Sequence, residues 1–297
     1  MLYFDCHVKI GQRPLKHKRT RWSTEQLLAD MDLAEISGAL VSHAVAHSYD
    51  PRYGNARLAG ELAKAPERLF GLWCLLPLAS PDFYVAGDDL LRAMAAADIR
   101  AVRCVAGNYS LHQEMMGPTL AALEEAEILL LLEAGWATDD FFAFFHDLLK
   151  RHPHLPVLLT DHTWSQQRYV HRLMQLHENL HLEFSSYQIN RGIEYYAAEF
   201  GAERLLFGTG GTEKSPGAAR TYIDYAQISA AAKRQIAGEN LRRLLKGQGP
   251  AVAAAPARPE DPWVVDVRAG TPQRGLIIDA HAHVLHEGGQ GAGINYI

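Results

Sequence analysis

Short runs of Leu and β-branched residues alternate with longer stretches of helical spacing along the first 245 residues. Eight runs have the length and composition of buried strands: Leu2–Cys6, Ala39–Val45, Leu69–Leu76, Ile99–Val105, Ile128–Leu132, Val157–Thr160, Leu180–Phe184 and Leu205–Gly208. Apolar runs of this kind, each followed by a helical pattern, belong to βα units on a parallel sheet. The helices carry start signals. Ser23 followed by Gln26 forms a capping box ahead of Leu27, Leu28 and Met31, and Pro118 suits the first turn before Leu120 and Leu123. A last amphipathic segment, Ser229 to Leu245, with Ile236, Leu241, Leu244 and Leu245, closes the pattern.

Eight strands and their helices in some 245 residues predict an α/β fold, a (β/α)8 TIM barrel over residues 1–245. A doubly wound open sheet is the alternative, but it calls for a phosphate-binding glycine loop after the first strand, and His7-Val8-Lys9-Ile10-Gly11 is not one. Residues 246–275 read as a linker, since Gly247 to Arg258 is Gly, Ala and Pro with little else. Trp263 to Val267 is a short strand or docking segment. Residues 276–297 form a tail in which Gly275 to Val284 resembles a new first strand, the possible start of a truncated second barrel.

Composition narrows the functional classes. The chain has 297 residues, 48% hydrophobic and 21% charged, which excludes disordered and disulfide-scaffold classes. A formal charge of -5 offers no field for a polyanion, so nucleic acid is not an expected partner. No apolar window is long enough to span a membrane, and Asp5, His7 and Lys9 interrupt what would be a signal peptide, so the protein is expected to be cytoplasmic. Cys6, Cys74 and Cys104 sit in apolar stretches without ligand spacing and read as reduced, buried thiols.

The 15 His residues are the unusual count. His281-Ala282-His283 at the end of an apolar run places two imidazoles on one side of a strand, a metal-ligating pattern with Asp279 as an orienting acceptor. Tyr3-Phe4-Asp5-Cys6-His7-Val8-Lys9 has the same shape, with Lys9 where the second His would stand.

The stretches Phe4-Asp5-Cys6-His7, Ala101-Val102-Arg103, His152-Pro153-His154-Leu155-Pro156-Val157, Glu203 to Gly208 and Glu239 to Leu244 resemble, in order, the amidohydrolase-related family. That resemblance implies a metal-dependent hydrolase. One or two divalent ions, commonly zinc, would be held by an H-x-H pair after strand one and a His after each of strands five and six. An Asp after strand eight would serve as ligand and base, acting on an ester, lactone or amide. Carried over position by position, His7 and His162 match, whereas Lys9, Glu133 and Gly210 replace the second His, the strand-five His and the Asp.

Three readings stand. In a rewired metal hydrolase, His7, His162 and Glu133 hold zinc or another divalent ion and Asp161 or Glu133 replaces the base. In a metal-free, lyase-like enzyme, Lys9, Glu133 and His162 perform acid–base chemistry on a carboxylated substrate bound by Arg103. In a catalytically impaired barrel, the fold serves as the partner or regulatory half of an intact homologue; the expected assembly is a homo-oligomer or a pairing with such a homologue. A docked tail lending His281 and His283 to the barrel is a further variant. Trp136 and Trp164 are candidate pocket walls, and His43 and His47 either line the mouth or are solvated. His152, His154, His171, His177 and His181 read as surface residues. The Arg13–Arg21 run borders the mouth from the first loop.

Overall fold

In a computed structural model the described residues are 1–13, 21–76, 87–105, 113–134, 139–250, 262, 265, 266 and 269–271. Eight strands are present: β1 (Phe4–Ile10), β2 (Gly38–His43), β3 (Leu69–Cys74), β4 (Ala101–Val105), β5 (Leu129–Glu133), β6 (Val157–Thr160), β7 (Leu180–Glu183) and β8 (Leu205–Leu206). They pair in parallel in chain order. Past the end of β8 the chain meets β1 again, where the Cys6 N–H donates to the Phe207 carbonyl at 2.9 Å and the Lys9 N–H to that of Gly211 at 2.7 Å. The result is the predicted (β/α)8 barrel, nearly closed.

Side-chain alternation sorts the core into two layers. Leu130 of β5 and Leu159 of β6 pack outward under the helices, while Leu129, Leu131 and Leu158 point inward. The inward set, with Phe4, Cys6, Leu40, Leu72, Ala101 and Leu206, fills the lower barrel and is plugged by Leu241, Leu244 and Leu245 of α11 (Asn240–Leu244) and its end. The next inward positions towards the C-terminal ends of the strands are polar: Ser42, Arg103, Glu133, Thr160 and Glu183 are buried or half-buried there.

Three expectations need correction. The first strand runs to Ile10 rather than ending at Cys6, because a register shift between Asp5 and Val8 lets it continue alongside β2. Phe4 and Cys6 belong to the inner layer, but Val8 and Ile10 to the outer one. The bulge therefore reverses the alternation and turns His7 and Lys9 into the barrel. Pro118 lies well inside α5 (Gln113–Glu125), not in its first turn. The last strand is only Leu205–Leu206, because the Phe207 N–H leaves the sheet and donates to the Ile236 carbonyl at 2.9 Å. Ile236 lies in a π-helical turn (Gln235–Glu239) joining α10 (Ala230–Arg234) to α11, where the backbone is wound more loosely.

The capping box stands as expected: Ser23 caps α1 (Thr24–Leu33), its Oγ accepting from the Gln26 N–H while the Gln26 side chain reaches back. Among the described residues no helix is long and apolar enough to cross a membrane. Most of the expected linker and the whole tail, including His281 and His283, lie outside the described residues, as does Trp136.

Candidate active site

The strand ends bring charged groups together in two linked clusters. The first centres on Glu133, the last residue of β5. The guanidinium of Arg103, fully buried inside β4, donates to Glu133 Oε2 and, at 3.2 Å, to the Ser42 hydroxyl. His47 Nε2 lies 3.1 Å and Lys9 Nζ 3.7 Å from the same carboxylate oxygen. Burial works against a charge on Glu133, but Arg103, His47 and Lys9 outweigh it and hold the carboxyl well below its ordinary range. Lys9 Nζ also lies 3.5 Å from Glu213 Oε1, which Arg13 NH1 approaches to 3.0 Å.

The second cluster centres on Asp161, which follows β6 with left-handed backbone (φ 54°), a conformation Asp tolerates better than most residues. Lys214 Nζ donates to Asp161 Oδ1 at 2.6 Å and to the hydroxyls of Ser185, at 3.2 Å, and Ser186. On the other side His7 Nε2 stands 3.3 Å from Asp161 Oδ2 without hydrogen-bond geometry, and neither nitrogen of that buried ring has a hydrogen-bond partner among the described residues. The same is true of both nitrogens of fully buried His162, whose ring packs 4.6 Å from that of Tyr187. Burial pushes His7 down to about 4 and His162 to about 3, so both are neutral near neutrality. Asp161 is burdened by burial, yet His7, protonated in the acid range where Asp161 titrates, and the Lys214 ammonium hold it well below the usual carboxylate range.

Glu183, at the end of β7, lies beneath Asp161. Its carboxylate accepts the Asp161 N–H at 2.8 Å, the Ser185 N–H at 2.5 Å and the Ser185 hydroxyl at 3.0 Å. Burial and then the neighbouring Asp161 charge push it up to about 7. Gly208 makes room for it, since a Cβ there would stand 2.8 Å from Glu183 Oε2 and 3.0 Å from Cys6 Sγ. Asp5 braces β1 against the end of β8, accepting the backbone N–H groups of His7 and Thr209 at 3.1 Å each and the Thr209 hydroxyl.

Of the residues singled out from sequence, His7 and Asp161 meet at one side of the mouth and Lys9, Arg103 and Glu133 at the other, whereas His162, next to Asp161 in the chain, is buried against Tyr187 and does not join the converging ligand atoms of His7, Asp161 and Glu183. Arg103 is enclosed by its ion pair rather than presented to the opening. Trp164 opens a 3₁₀ turn and is 45% exposed. His47 reaches the site, whereas His43 caps α2 (Ala44–Ser48) by accepting the Val45 N–H. His152, His177 and His181 are buried, not on the surface: His152 pairs with Glu124 at 2.8 Å, His177 with His146 at 2.8 Å, and His181 occupies an inward position of β7. Cys6, Cys74 and Cys104 are buried thiols.

Sequence reasoning passed over Glu183 and Lys214. The alternation Leu180, His181, Leu182, Glu183 marks Glu183 as inward-facing; Lys214, on the connection after β8, follows no pattern.

A (β/α)8 barrel with carboxylates, imidazoles and ammonium groups at the C-terminal ends of its strands has the layout of a barrel enzyme. The amidohydrolase family pattern matches residues 5–247, and the chain belongs to that family. Comparison with curated protein sequences gave no match. Among solved structures, the chain is similar to 5-carboxyvanillate decarboxylase from Novosphingobium aromaticivorans, a complex with manganese (14% identity, TM-score 0.65, 82% of this chain and 96% of that one). It is also similar to 2,6-dihydroxybenzoate decarboxylase from Rhizobium (19%, 0.59, 82% and 98%). A third is a probable 2-pyrone-4,6-dicarboxylic acid hydrolase from Acinetobacter baumannii with citric acid bound (12%, 0.61, 83% and 100%). At these identities the likeness establishes the fold.

The family implies a divalent metal ion, and the donors can be tested for it. His7, Asp161 and Glu183 offer ligand atoms that all lie within 4.8 Å of one another, a possible metal site. Glu133 is turned to Arg103, Lys9 and His47 instead. Beside the trio, however, the Lys214 ammonium already supplies positive charge to Asp161. As arranged, with that ammonium in place, the site does not fit a divalent ion.

Proposed function

We propose that the chain hydrolyses a small carboxylated ester, lactone or amide at the barrel mouth, without a resident metal ion. The observation that carries this reading is the row His7, Asp161, Lys214: a neutral, unpaired imidazole, an ionised carboxylate 3.3 Å away and an ammonium 2.6 Å from that carboxylate's other oxygen. In it, His7 takes a proton from the attacking water and Asp161 stabilises the imidazolium that forms, as a carboxylate does for a histidine base. Lys214 faces the negative charge that develops on the carbonyl oxygen, and the imidazolium returns its proton to the leaving group. Lys214, 32% exposed and only partly neutralised by Asp161, is the cation at the mouth that favours an anionic substrate over a neutral one.

The test is a panel of carboxylated lactones, esters, amides and aromatic acids presented to chelator-treated protein. Hydrolysis that survives chelation and falls by about 10²–10⁴-fold in Asp161→Asn supports the reading. Release of carbon dioxide from the aromatic acids would replace it with decarboxylation. Absence of any turnover sinks it and leaves the barrel as a partner of a competent homologue.

A further inference from the structure

We infer that the Lys214 ammonium is a built-in cation that keeps a divalent ion out of a latent site formed by His7, Asp161 and Glu183. The inference rests on the metal-free reading of this site and goes beyond it, because it assigns the exclusion to one side chain.

Four observations converge. The trio brings one imidazole nitrogen and two carboxylate oxygens within 4.8 Å of one another at the strand ends. His7 is 1% exposed and both its nitrogens lack hydrogen-bond partners among the described residues, so a buried ligand atom lies beside Asp161 Oδ2 without a hydrogen bond to it. An imidazole left this way forfeits hydrogen bonding that a bound cation would restore. Glu183 accepts three hydrogen bonds, and a carboxylate with about four acceptor sites keeps capacity for one more ligand bond.

The fourth observation places Lys214 as the obstacle. A Cβ on Gly210 would stand 3.0 Å from Lys214 Cδ, 3.2 Å from Nζ and 3.3 Å from Cε, so the Lys214 stem occupies the space a side chain at 210 would need. Gly210 also has φ 62°, a backbone conformation suited to glycine. A side chain at 210 would require the Lys214 stem to give way by a few tenths of an ångström. Where the family resemblance leads one to expect an Asp after the eighth strand, this chain has Gly210 with the Lys214 ammonium beside it, which reverses the sign of the charge offered to a cation there. Lys214 is 32% exposed and anchored on a long flexible stem, so its removal leaves the buried donors standing.

The probes are Mn2+ and Zn2+, titrated separately into chelator-treated protein and read by calorimetry and by the metal retained after gel filtration. Lys214→Met is expected to bind a single ion at least about 100-fold more tightly than the unsubstituted chain, with Lys214→Arg behaving like the latter. Asp161→Asn in the Lys214→Met background is expected to lose the ion. Thermal melting confirms that each variant is folded. Equal affinity in the unsubstituted chain and Lys214→Met overturns the inference, as does a folded Lys214→Met that binds no ion, or an ion that persists when Asp161 is replaced. None of these readouts involves turnover, so substrate hydrolysis by the chelator-treated protein is judged separately.

Discussion

The lower and upper halves of the barrel interior are built by the same strands and held together differently. On β4 and β5, Ala101, Leu129 and Leu131 face inward below, and Arg103 and Glu133 face inward one step higher. Below, each side chain gains by leaving water, in proportion to its area. Above, the desolvation of each ion is offset only while its partners stay in place, so the upper layer contributes little net stability and much mutual dependence. One layer holds the fold, and the other holds charges where chemistry can use them.

The largest effect should come from dividing the ion pair. Glu133→Leu leaves Arg103 fully buried with its carboxylate removed and should cost about 3–5 kcal/mol in urea denaturation. Adding Arg103→Met should recover most of that loss, because the buried pair as a unit is close to neutral against apolar replacement. A double variant as unstable as the single one would break the comparison, showing that the upper layer stabilises as the lower one does.

In the lower layer, Leu131→Ala should cost about 2–5 kcal/mol by the lost transfer energy and the cavity left behind. Here no second deletion should restore stability: combined with Leu158→Ala the loss should grow, and recovery would contradict the assignment of Leu131 to a close-packed plug.

The same contrast governs what could be read from the sequence. The lower layer, the outer layer and the closing helix rest on periodicity, which survives in one dimension: Leu129 to Leu132, Leu241, Leu244 and Leu245 all fall where their spacing puts them. His7, Lys9, Glu133 and His162 were visible because strand ends in a barrel collect at one face. What periodicity could not carry is geometry created by single residues. The bulge in β1 turns Lys9 inward, Gly210 opens the space that Lys214 fills, and Gly208 admits Glu183. Whether Glu133 faces a metal or Arg103 depends on which neighbour is nearer, and spacing along the chain does not encode that.

The smallest effect is a slope rather than an offset. Glu183 has its folded pKa pushed up to about 7, above the ordinary 4.5 it would have in the unfolded chain, by burial first and the Asp161 charge second. The folded state then holds this proton more tightly than the unfolded one, so its stabilising contribution is complete below about pH 4.5 and is lost as the pH rises through 7. Glu183→Gln removes the titration while disturbing the hydrogen bonds from Asp161 and Ser185 by an amount that does not change with pH. The stability of the unsubstituted chain relative to Glu183→Gln should therefore fall by about 1–3 kcal/mol between pH 5 and pH 8.5, measured by urea denaturation across that range. His7 and His162, lowered to about 4 and 3, act in the opposite direction: their contribution is whole above pH 6.5 and lost as the pH falls through those values. The pH 5 point also lies below 6.5, but the histidines are common to both proteins and cancel in the difference. A flat difference across the range would mean that Glu183 is ionised throughout, with Lys214 rather than a proton balancing its charge.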